Sequence, residues 1–247
     1  MSFTNLFKNF IRIYGALSCV PSYFRKNRIS SPKLVSHSKW ADFLSNKFNH
    51  SGMRILEIGS RNVTGANLRN RFSNAEYVGF DFLDGENVDV VGDCHKLTDY
   101  FDVNERFDLI FSSAVFEHLY MPWVAAEEIT KMLKVGGYLF VETHFSFSSH
   151  ERPWNFFQFS DMGLRALFNE GMGFRLLDKG LSNPIFGYFD RDADRYLRYL
   201  PVAELYCHSE ILCEKVAEVR DFQWRNLSID NLVEGTRYPP SIGRQRV

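Results

Sequence analysis

The sequence contains no long apolar run: no window reaches about 18 uninterrupted apolar residues, the length that a membrane-spanning helix needs. Cysteine is also scarce, with four residues that form neither a CxxC pair nor a Cys/His spacing typical of a metal site. These absences argue against a transmembrane protein, a disulfide-stapled secreted domain and a zinc module. We therefore expect reduced thiols and no bound metal.

The chain also lacks a strong net charge, at −1 over 247 residues, so nucleic acid is not an expected partner. The charge is unevenly distributed, because residues 1–50 hold eight Lys and Arg against one acid, Asp42, and the remainder is acidic. A basic arm on an acidic body can bind an anionic partner or a membrane surface. It can equally dock on its own body as a solvated lid.

Residues 1–20 show the spacing of an amphipathic helix, with apolar side chains recurring every three or four residues from Phe3 to Leu17. Lys8 and Arg12 interrupt the apolar stretch and no small-residue cleavage site is clear, so a signal peptide is not expected. We expect the chain in the cytoplasm. The helix would pack on its own domain or on a second copy, or lie at the inner membrane surface, and the sequence leaves these alternatives open.

Beyond a short helix expected at 38–48, apolar runs alternate with helical segments. Five buried strands are predicted at 53–58, 75–81, 88–93, 107–113 and 138–145. Helices are predicted at about 64–72, 95–102, 121–133 and 161–169. A sixth strand is expected at 173–181, and a late strand at 203–216 is expected to pair antiparallel at the edge. The pattern predicts an α/β fold: a doubly wound, Rossmann-like, mostly parallel seven-stranded sheet with helices on both faces and an antiparallel edge strand.

Three predicted strand ends carry groups that suit an adenosine ligand. In a doubly wound sheet, ligands bind at the carboxyl ends of the strands, where the strand order reverses. The first strand runs into Gly59, which allows a sharp turn and close approach of a ligand. Asp81 ends the second strand, where its carboxylate can accept both ribose hydroxyls. Asp93 follows the third strand, in a position to accept from the adenine amine.

The first loop lacks the GxGxxG pattern of dinucleotide-binding folds, because Arg61 stands where the second glycine belongs and the next glycine is Gly65. Such a loop holds a pyrophosphate poorly, which disfavours a nicotinamide-dependent oxidoreductase. It suits a ligand with an amino-acid end. Glu57 supplies negative charge near the ligand's ammonium, and Arg61 either pairs with the ligand's carboxylate or stays solvated.

The segments LEIGS, YVGFD, GD, FDLIFSSAVFEHL and LKVGGYLFVE, in this order over residues 53–142, resemble the class I S-adenosylmethionine-dependent methyltransferases, in particular the group called methyltransferase type 11. The resemblance implies S-adenosylmethionine as cofactor. It assigns the methionine end to Glu57, Gly59 and Ser60, the ribose to Asp81 beside Phe82, the adenine to Asp93 and Cys94, and the cofactor border to Ser112, Ser113 and His118. The sequence departs from the group at Arg61, so the first loop must take another path, and at Val135, which replaces a common proline.

The acceptor side is expected at the end of the fifth strand and in the loop that follows it. If the acceptor is a hydroxyl, a general base within hydrogen-bond reach is useful, and His144 and His150 are our catalytic candidates. The loop SFSSHERPWNFFQFS places polar groups among rings, which is typical of a sugar- or ring-binding pocket, although about half of the rings are expected in the core. The segment 150–168 is similar to methyltransferases of bacterial polysaccharide and glycoconjugate biosynthesis, except that Asn155 and Gln158 replace a frequent acid and Arg.

These inferences combine into one functional prediction, S-adenosylmethionine-dependent methyl transfer to a hydroxyl of a sugar, a glycan or another small molecule. Two alternatives stay open: a non-catalytic scaffold of the same fold that recruits a biosynthetic complex through its arm, and the nicotinamide-dependent oxidoreductase. The predicted organisation is a basic helical arm or lid at 1–50, a methyltransferase domain at 51–220 with its acceptor loop at about 144–160, and a tail at 221–247.

Overall fold

The structure, a computed structural model, describes residues 29–233 except residues 64, 66 and 103. One sheet is built from β1 (Arg54–Ile58), β2 (Glu76–Asp81), β3 (Val90–Val91), β4 (Phe107–Ser113), β5 (Leu133–His144), β6 (Phe174–Tyr188) and β7 (Pro201–Lys215). The α-helices in this part of the chain are α1 (Trp40–Phe48), α2 (Pro122–Met132) and α3 (Asp161–Leu167). The amphipathic helix predicted at 1–20 and residues 234–247 of the predicted tail lie outside the described residues.

The strand order is β3-β2-β1-β4-β5-β7-β6. The strands from β1 to β5 pair in parallel, and β7 pairs antiparallel with both β5 and β6. The predicted doubly wound, mostly parallel α/β sheet is therefore confirmed. The order reverses between β1 and β4, and this reversal is where such sheets bind ligands at the carboxyl ends of their strands.

Two details of the prediction were wrong. The antiparallel strand β7 lies between β5 and β6 rather than at the edge, so β6 is the edge strand. The C-terminal part of β7 contains the apolar run from Ile211 to Cys213, which is fully buried and therefore suits an interior strand with a neighbour on each side. The helices expected at 64–72 and 95–102 are, in their described parts, the 3₁₀ segments Arg69–Phe72 and Cys94–Tyr100. Gly65, Asn67 and Asn70 are weak helix formers, which accounts for the first of these.

The sheet is covered on both faces, as the sequence predicted. Alternate residues of each strand face opposite sides, so Ile55 packs with Trp40 and Leu44 of α1, whereas Leu56 and Ile58 pack toward α2 and α3. The helix α3 begins as expected, because the Ser160 hydroxyl accepts a hydrogen bond from the amide of Gly163 at 3.0 Å. Within the described residues, none of the helices combines the length and apolar character needed to cross a bilayer.

The many phenylalanines supply much of this core. Eight of them rank among the largest fully buried side chains: Phe72, Phe80, Phe107, Phe111, Phe116, Phe140, Phe168 and Phe174. Several meet edge to face or stacked, for example Phe72 and Phe111, whose ring centroids are 5.7 Å apart. The core explains only part of the aromatic content, since a second group of rings is exposed at the carboxyl ends of the strands.

Lys215 at the end of β7 is fully buried and caps the end of α2. Its ammonium donates at 2.8 Å to the carbonyl oxygens of Thr130 and Leu133 and to the carboxylate of Glu218. We expect Lys215→Ala to lower the free energy of unfolding by about 2–4 kcal/mol, because two buried carbonyls lose their donor. The exposed Lys131→Ala should change it by about 0.5 kcal/mol or less. Urea denaturation of both variants measures the two changes. Equal losses of unfolding free energy would refute the capping role of Lys215.

Candidate functional site

Gly59 forms the turn at the carboxyl end of β1. Its φ of +85° is in the left-handed region, and a Cβ built there would lie 2.1 Å from Cγ2 of Val115. The amides of Gly59 and Ser60 both donate to the carbonyl oxygen of Phe80, at 2.8 and 3.2 Å, which ties this turn to β2. The backbone after β1 therefore approaches the loop after β4 more closely than any side chain at residue 59 would allow.

Two serine hydroxyls lie at adjacent strand ends. Ser60, after β1, and Ser112, in β4, are 4% and 1% exposed. Among the described residues neither Oγ has a hydrogen-bond partner. A buried hydroxyl without a partner is costly, so unsatisfied groups at a strand end point to a polar ligand. Together with the open turn at Gly59, these hydroxyls fit the ligand that the sequence predicts there.

Asp81 lies at the end of β2, where the ribose was expected, and it already has protein partners. Its two carboxylate oxygens accept from the amides of Arg61, at 3.1 Å, and Leu83, at 2.9 Å. The Arg61 side chain also lies beside it, with Nε 3.7 Å from Oδ1. A carboxylate has about four acceptor sites, so capacity for ribose hydroxyls remains. The structure shows a contact for Arg61 that the sequence did not suggest, because its side chain pairs with Asp81.

Asp93 follows β3 and is held by His95. Its Oδ1 accepts from the backbone amide of His95 at 3.0 Å and lies 2.6 Å from Nδ1 of the imidazole. Burial alone would raise the pKa of Asp93, but these contacts lower it below its usual range. The neighbouring Cys94 is buried, and burial raises the pKa of its thiol to about 12. Asp93 is thus a fixed anion at the third strand end, whereas Cys94 is a neutral thiol.

Glu57 lies in β1, two residues before Gly59, with 6% of its surface exposed. It accepts a hydrogen bond from the Tyr77 hydroxyl and a long one, 3.4 Å, from the Asn87 amide. Burial raises the pKa of Glu57 to about 8, so it is largely protonated at neutral pH. The negative charge expected from the sequence would therefore develop only when a cationic group, such as an ammonium, arrives beside it.

The raised pKa of Glu57 gives a pH dependence of known sign. The folded state keeps the proton up to about pH 8 while the unfolded chain loses it near its ordinary value, so stability falls as pH rises through that window. Glu57→Gln should remove this fall, on the order of a few kcal/mol. Urea unfolding across the window tests it, with the exposed Glu86→Gln as the matched control. Parallel pH profiles for wild type and Glu57→Gln would contradict the assignment.

On the acceptor side, three predicted histidines converge on Glu117, and we call these four residues the histidine cluster: Glu117, His118, His144 and His150. Glu117 is fully buried, accepts from the Thr143 hydroxyl at 2.6 Å, and has Oε1 2.7 Å from Nδ1 of His144. Burial would raise the pKa of Glu117, but the contact with His144 and the hydrogen bond from Thr143 lower it. The ring of His150 lies nearly perpendicular to those of His118 and His144, with centroids 5.0 and 5.2 Å away.

The acceptor loop is fixed over this cluster by its backbone. The amides of Phe156 and Phe157 donate to the carbonyl oxygen of Glu117, and the amide of Phe159 donates to that of His144. The side-chain amide of Gln158 accepts from the backbone amide of Phe147 at 3.1 Å and donates to its carbonyl oxygen at 2.9 Å. These hydrogen bonds hold the acceptor loop against the segments that follow β4 and end β5.

Four exposed rings form an aromatic wall beside the cluster: Phe82, Tyr120, Trp154 and Phe156, with exposed fractions of 45–63%. Phe82 meets Trp154 at 6.4 Å between centroids, and Tyr120 meets Phe156 at 6.3 Å. Phe159 instead is buried, so the loop's rings divide between core and surface as expected. Phe82, which comes directly after Asp81 in the sequence, therefore also contacts the acceptor loop through Trp154.

Sequence reasoning missed a second polar cluster, which lies between β5 and β7. Glu142 is 3% exposed and accepts from the Ser113 hydroxyl at 2.9 Å, while its other oxygen lies 2.9 Å from Nδ1 of His37. Ser113, expected beside the cofactor, is thus held by Glu142. The antiparallel register pairs Glu142 with Glu210 and residue 144 with His208.

A sequence signal for this second cluster exists. β5 contains Glu142-Thr-His144 and β7 contains the mirrored His208-Ser-Glu210. Antiparallel pairing of mirrored patterns places like residues opposite one another, where repulsion between carboxylates must be relieved. Here burial raises the pKa of Glu210 to about 8, so it is largely protonated at neutral pH and the pair is tolerated.

Solved structures share this fold at low sequence identity. YcgJ from Bacillus subtilis superposes with a TM-score of 0.50 at 15% identity, covering 73% of this chain and 98% of that one. A proposed methyltransferase from Bacillus halodurans gives 0.50 at 13% identity, covering 71% and 98%. An S-adenosylmethionine-dependent methyltransferase from Archaeoglobus fulgidus gives 0.49 at 14%, covering 72% and 96%. At these identities the likeness concerns the fold alone.

No curated protein is significantly similar in sequence. The sequence model of a family described as methyltransferase domain, however, matches residues 32–174, which is more than half of the chain. That range contains β1 to β5, all the strand ends described above and the acceptor loop. The chain therefore belongs to the methyltransferase domain family.

Proposed function

We propose that this protein transfers a methyl group from S-adenosylmethionine to a hydroxyl of a sugar-like small molecule. Methyl transfer and the S-adenosylmethionine cofactor follow from the family. The hydroxyl acceptor is our inference, and one observation carries it: a buried carboxylate, Glu117, contacts the imidazole of His144 at 2.7 Å beside the exposed aromatic wall. A carboxylate-oriented imidazole is the usual means of removing a hydroxyl proton. An amine nitrogen, by contrast, already carries a nucleophilic lone pair and often needs no such base.

For the cofactor, we assign the strand-end residues as the sequence predicts, with two changes. Glu57, Gly59 and Ser60 hold the methionine end, Asp81 the ribose and Asp93 with Cys94 the adenine, while Ser112 supplies an unpaired hydroxyl at the border. The first change concerns Arg61, which keeps Asp81 in place and does not reach for the ligand's carboxylate. The second concerns Ser113 and His118, which are held by Glu142 and by the acceptor loop.

The chemistry divides simply between cofactor and protein. S-adenosylmethionine supplies an electrophilic methyl group on a positively charged sulfur, so little activation is needed on that side. The protein's task is to orient the acceptor oxygen in line and to take its proton. His144 and His150 lie within the histidine cluster at the edge where the acceptor loop closes. Glu117 positions His144, and His150 presents an imidazole from the loop itself.

The aromatic wall supports a sugar-type acceptor. Rings with large exposed faces next to imidazoles and carboxylates form the mixed apolar and polar surface on which hydroxylated rings bind. Trp154 is 56% exposed and Phe156 45%, so each ring leaves part of its surface open to an acceptor. The similarity of residues 150–168 to methyltransferases of polysaccharide and glycoconjugate biosynthesis is in keeping with this class, and we extend the proposal to a glycan intermediate.

The basic N-terminal arm suggests where this reaction takes place. Residues 1–50 carry eight Lys and Arg against one acid, a composition that binds anionic surfaces. We propose a cytoplasmic protein in which the part of the arm before α1 contacts the inner membrane surface or a second copy of the chain, because α1 (Trp40–Phe48) itself packs on the sheet as part of the methyltransferase domain. Sedimentation with anionic liposomes, with and without residues 1–28, tests the membrane contact.

The acceptor type can be read from the product. The full-length protein would be incubated with S-adenosylmethionine labelled with carbon-13 in its methyl group and with a panel of sugars, nucleotide sugars, phenols and amines. NMR separates methyl groups on oxygen, nitrogen and carbon by chemical shift. We expect label on the oxygen of a sugar-type acceptor, with His144→Ala slowing transfer about 100-fold or more. Label on nitrogen or carbon alone would overturn the hydroxyl proposal and leave the family assignment intact.

A further inference from the structure

We propose that the histidine cluster binds a divalent transition-metal ion. A carboxylate oxygen of Glu117 and ring nitrogens of His144 and His150 lie within 4.8 Å of one another, with His118 alongside. This contradicts our expectation from the sequence, which found no metal-ligand spacing because the ligands come from three separate segments. The proposal concerns binding and stands without the proposed acceptor.

The buried carboxylate is incompletely satisfied. Glu117 is fully buried, and its Oε1 has no hydrogen-bond partner among the described residues. Nδ1 of His144, itself without a hydrogen-bond partner in the same part of the chain, lies 2.7 Å from that oxygen but is not aligned as a hydrogen bond. Two buried polar atoms that face each other without a proper hydrogen bond keep lone pairs that a further ligand can use. A cation can accept a lone pair from each of them.

The other two imidazoles are oriented as metal ligands are. Nδ1 of His118 lies 2.9 Å from the carbonyl oxygen of Trp154, and Nδ1 of His150 lies 3.0 Å from that of Ser148. A carbonyl oxygen can only accept, so each Nδ1 carries a proton. In the neutral ring Nε2 then has a free lone pair. Backbone carbonyls that fix the ring and tautomer in this way are typical partners of metal-bound histidine.

The free nitrogen of His118 lies close to negative charge. Nε2 of His118 lies 4.0 Å from Oε1 of Glu117 and 3.6 Å from Oε2 of Glu151. A nitrogen lone pair and a carboxylate repel each other at these distances unless a proton or a cation lies between them. One carboxylate and three imidazoles form a set that favours zinc, manganese, iron or cobalt over magnesium, which prefers oxygen ligands.

Another grouping of possible ligands, Glu142 with His37 and His208, is less suitable. His37 and His208 are stacked at 4.1 Å with their planes 14° apart, so their in-plane lone pairs run side by side and do not converge. Both oxygens of Glu142 in that group already have partners. In the histidine cluster the rings are nearly perpendicular, at 80° and 86°, and the carboxylate oxygen is unpaired.

A bound cation would change how the acceptor is activated. This consequence rests on the proposed function. A hydroxyl oxygen bound to the ion would lose its proton far more readily, and the exposed Glu151, whose Oε2 lies 3.6 Å from Nε2 of His118, would pass that proton to solvent. The oxygen then forms its bond to the methyl carbon while the carbon–sulfur bond breaks, which leaves a neutral thioether. His144 and His150 act in this case as ligands, and the base is no longer an imidazole.

The test uses the full-length protein without a histidine tag, stripped with EDTA and titrated with Zn²⁺ by calorimetry and with Co²⁺ by visible absorption. We expect one ion per chain, a cobalt spectrum of low coordination number, and affinity at least about tenfold weaker in His150→Ala and in His118→Ala. His150 and His118 are partly exposed, so both variants should fold, and urea unfolding verifies this. His37→Ala, in the second cluster, and His50→Ala, at the surface, should bind as wild type does.

Two results would overturn the site. One is the absence of Zn²⁺ or Co²⁺ binding by the stripped wild-type protein. The other is binding that His37→Ala weakens and that His118→Ala and His150→Ala do not. S-adenosylhomocysteine binding, measured on the same stripped sample, separates the two proposals, since a sample that binds this ligand but no metal refutes only the metal site.

Discussion

Replacing Gly59 with alanine should lower the free energy of unfolding by about 2–4 kcal/mol and weaken S-adenosylhomocysteine binding at least about tenfold. Two effects add. An alanine at φ +85° is strained, and its Cβ would lie 2.1 Å from Cγ2 of Val115. Relief requires movement of the turn after β1 or the loop after β4, and both border the assigned cofactor position.

Gly136 provides the matched control for this substitution. It has the same φ, +85°, but no atom of the described residues lies within 4 Å of its Cβ position. Gly136→Ala should therefore cost only the backbone strain, about 1–2 kcal/mol, and leave ligand binding unchanged. Adding Val115→Ala to Gly59→Ala should restore part of the stability. Equal costs at Gly59 and Gly136, or no gain in the double variant, would show that the close approach is unimportant.

Replacing Glu117 with glutamine should cost about 2–3 kcal/mol of unfolding free energy at neutral pH, because a buried anion in contact with His144 is lost. The pKa of Glu117 is lowered in the folded protein. Its stabilisation is therefore present above the pKa of the unfolded chain and disappears as pH falls through the lower folded value. The difference between wild type and variant should shrink accordingly in acid.

Urea unfolding at a series of pH values, with EDTA present to exclude bound metal, measures this difference. The control is Glu151→Gln, which alters a carboxylate that is 63% exposed and lies in the adjoining loop. Such a group should contribute about 0.5 kcal/mol or less. A Glu117→Gln cost that matches the control, or one that stays constant down to acid pH, would show that Glu117 is not a stabilising anion.

The sheet could be predicted from the sequence because its signals are local. The apolar run at Arg54–Ile58 and the run at Phe107–Ser113 each fill a strand buried on both faces, and Ser160 marks the start of α3. The place of β7 could not be predicted, since strand order depends on which edges are left after β5 forms. That choice is decided by packing between residues far apart in sequence.

The candidate site was predicted unevenly for the same reason. Positions such as Gly59, Asp81 and Asp93 follow strands directly, so topology alone brings them to one edge of the sheet. The partners of these groups are different: Arg61 covers Asp81, and the buried state of Glu57 shifts its pKa. Contacts and burial of this kind are set by side-chain packing, which no strand pattern specifies.

The histidine cluster illustrates the limit further. Its three histidines were each singled out in the sequence, but Glu117 had no assigned role, and the convergence of three separate segments on it appears only in the folded chain. The 3₁₀ turn after β4, the end of β5 and the acceptor loop place these side chains together. Acceptor choice therefore depends on the loop's fold as well as on its residues.

Calorimetric titration with S-adenosylhomocysteine tests the central claim, that the cofactor lies across the ends of β1, β2 and β3. The wild-type protein should bind one molecule per chain. Asp81→Asn should bind about 10- to 100-fold more weakly, because a charge-assisted pair of hydrogen bonds to the ribose is lost. Asp84→Asn, a nearby exposed carboxylate, should bind as wild type does. No binding by the wild type at millimolar ligand, or equal affinities for all three proteins, would contradict the account.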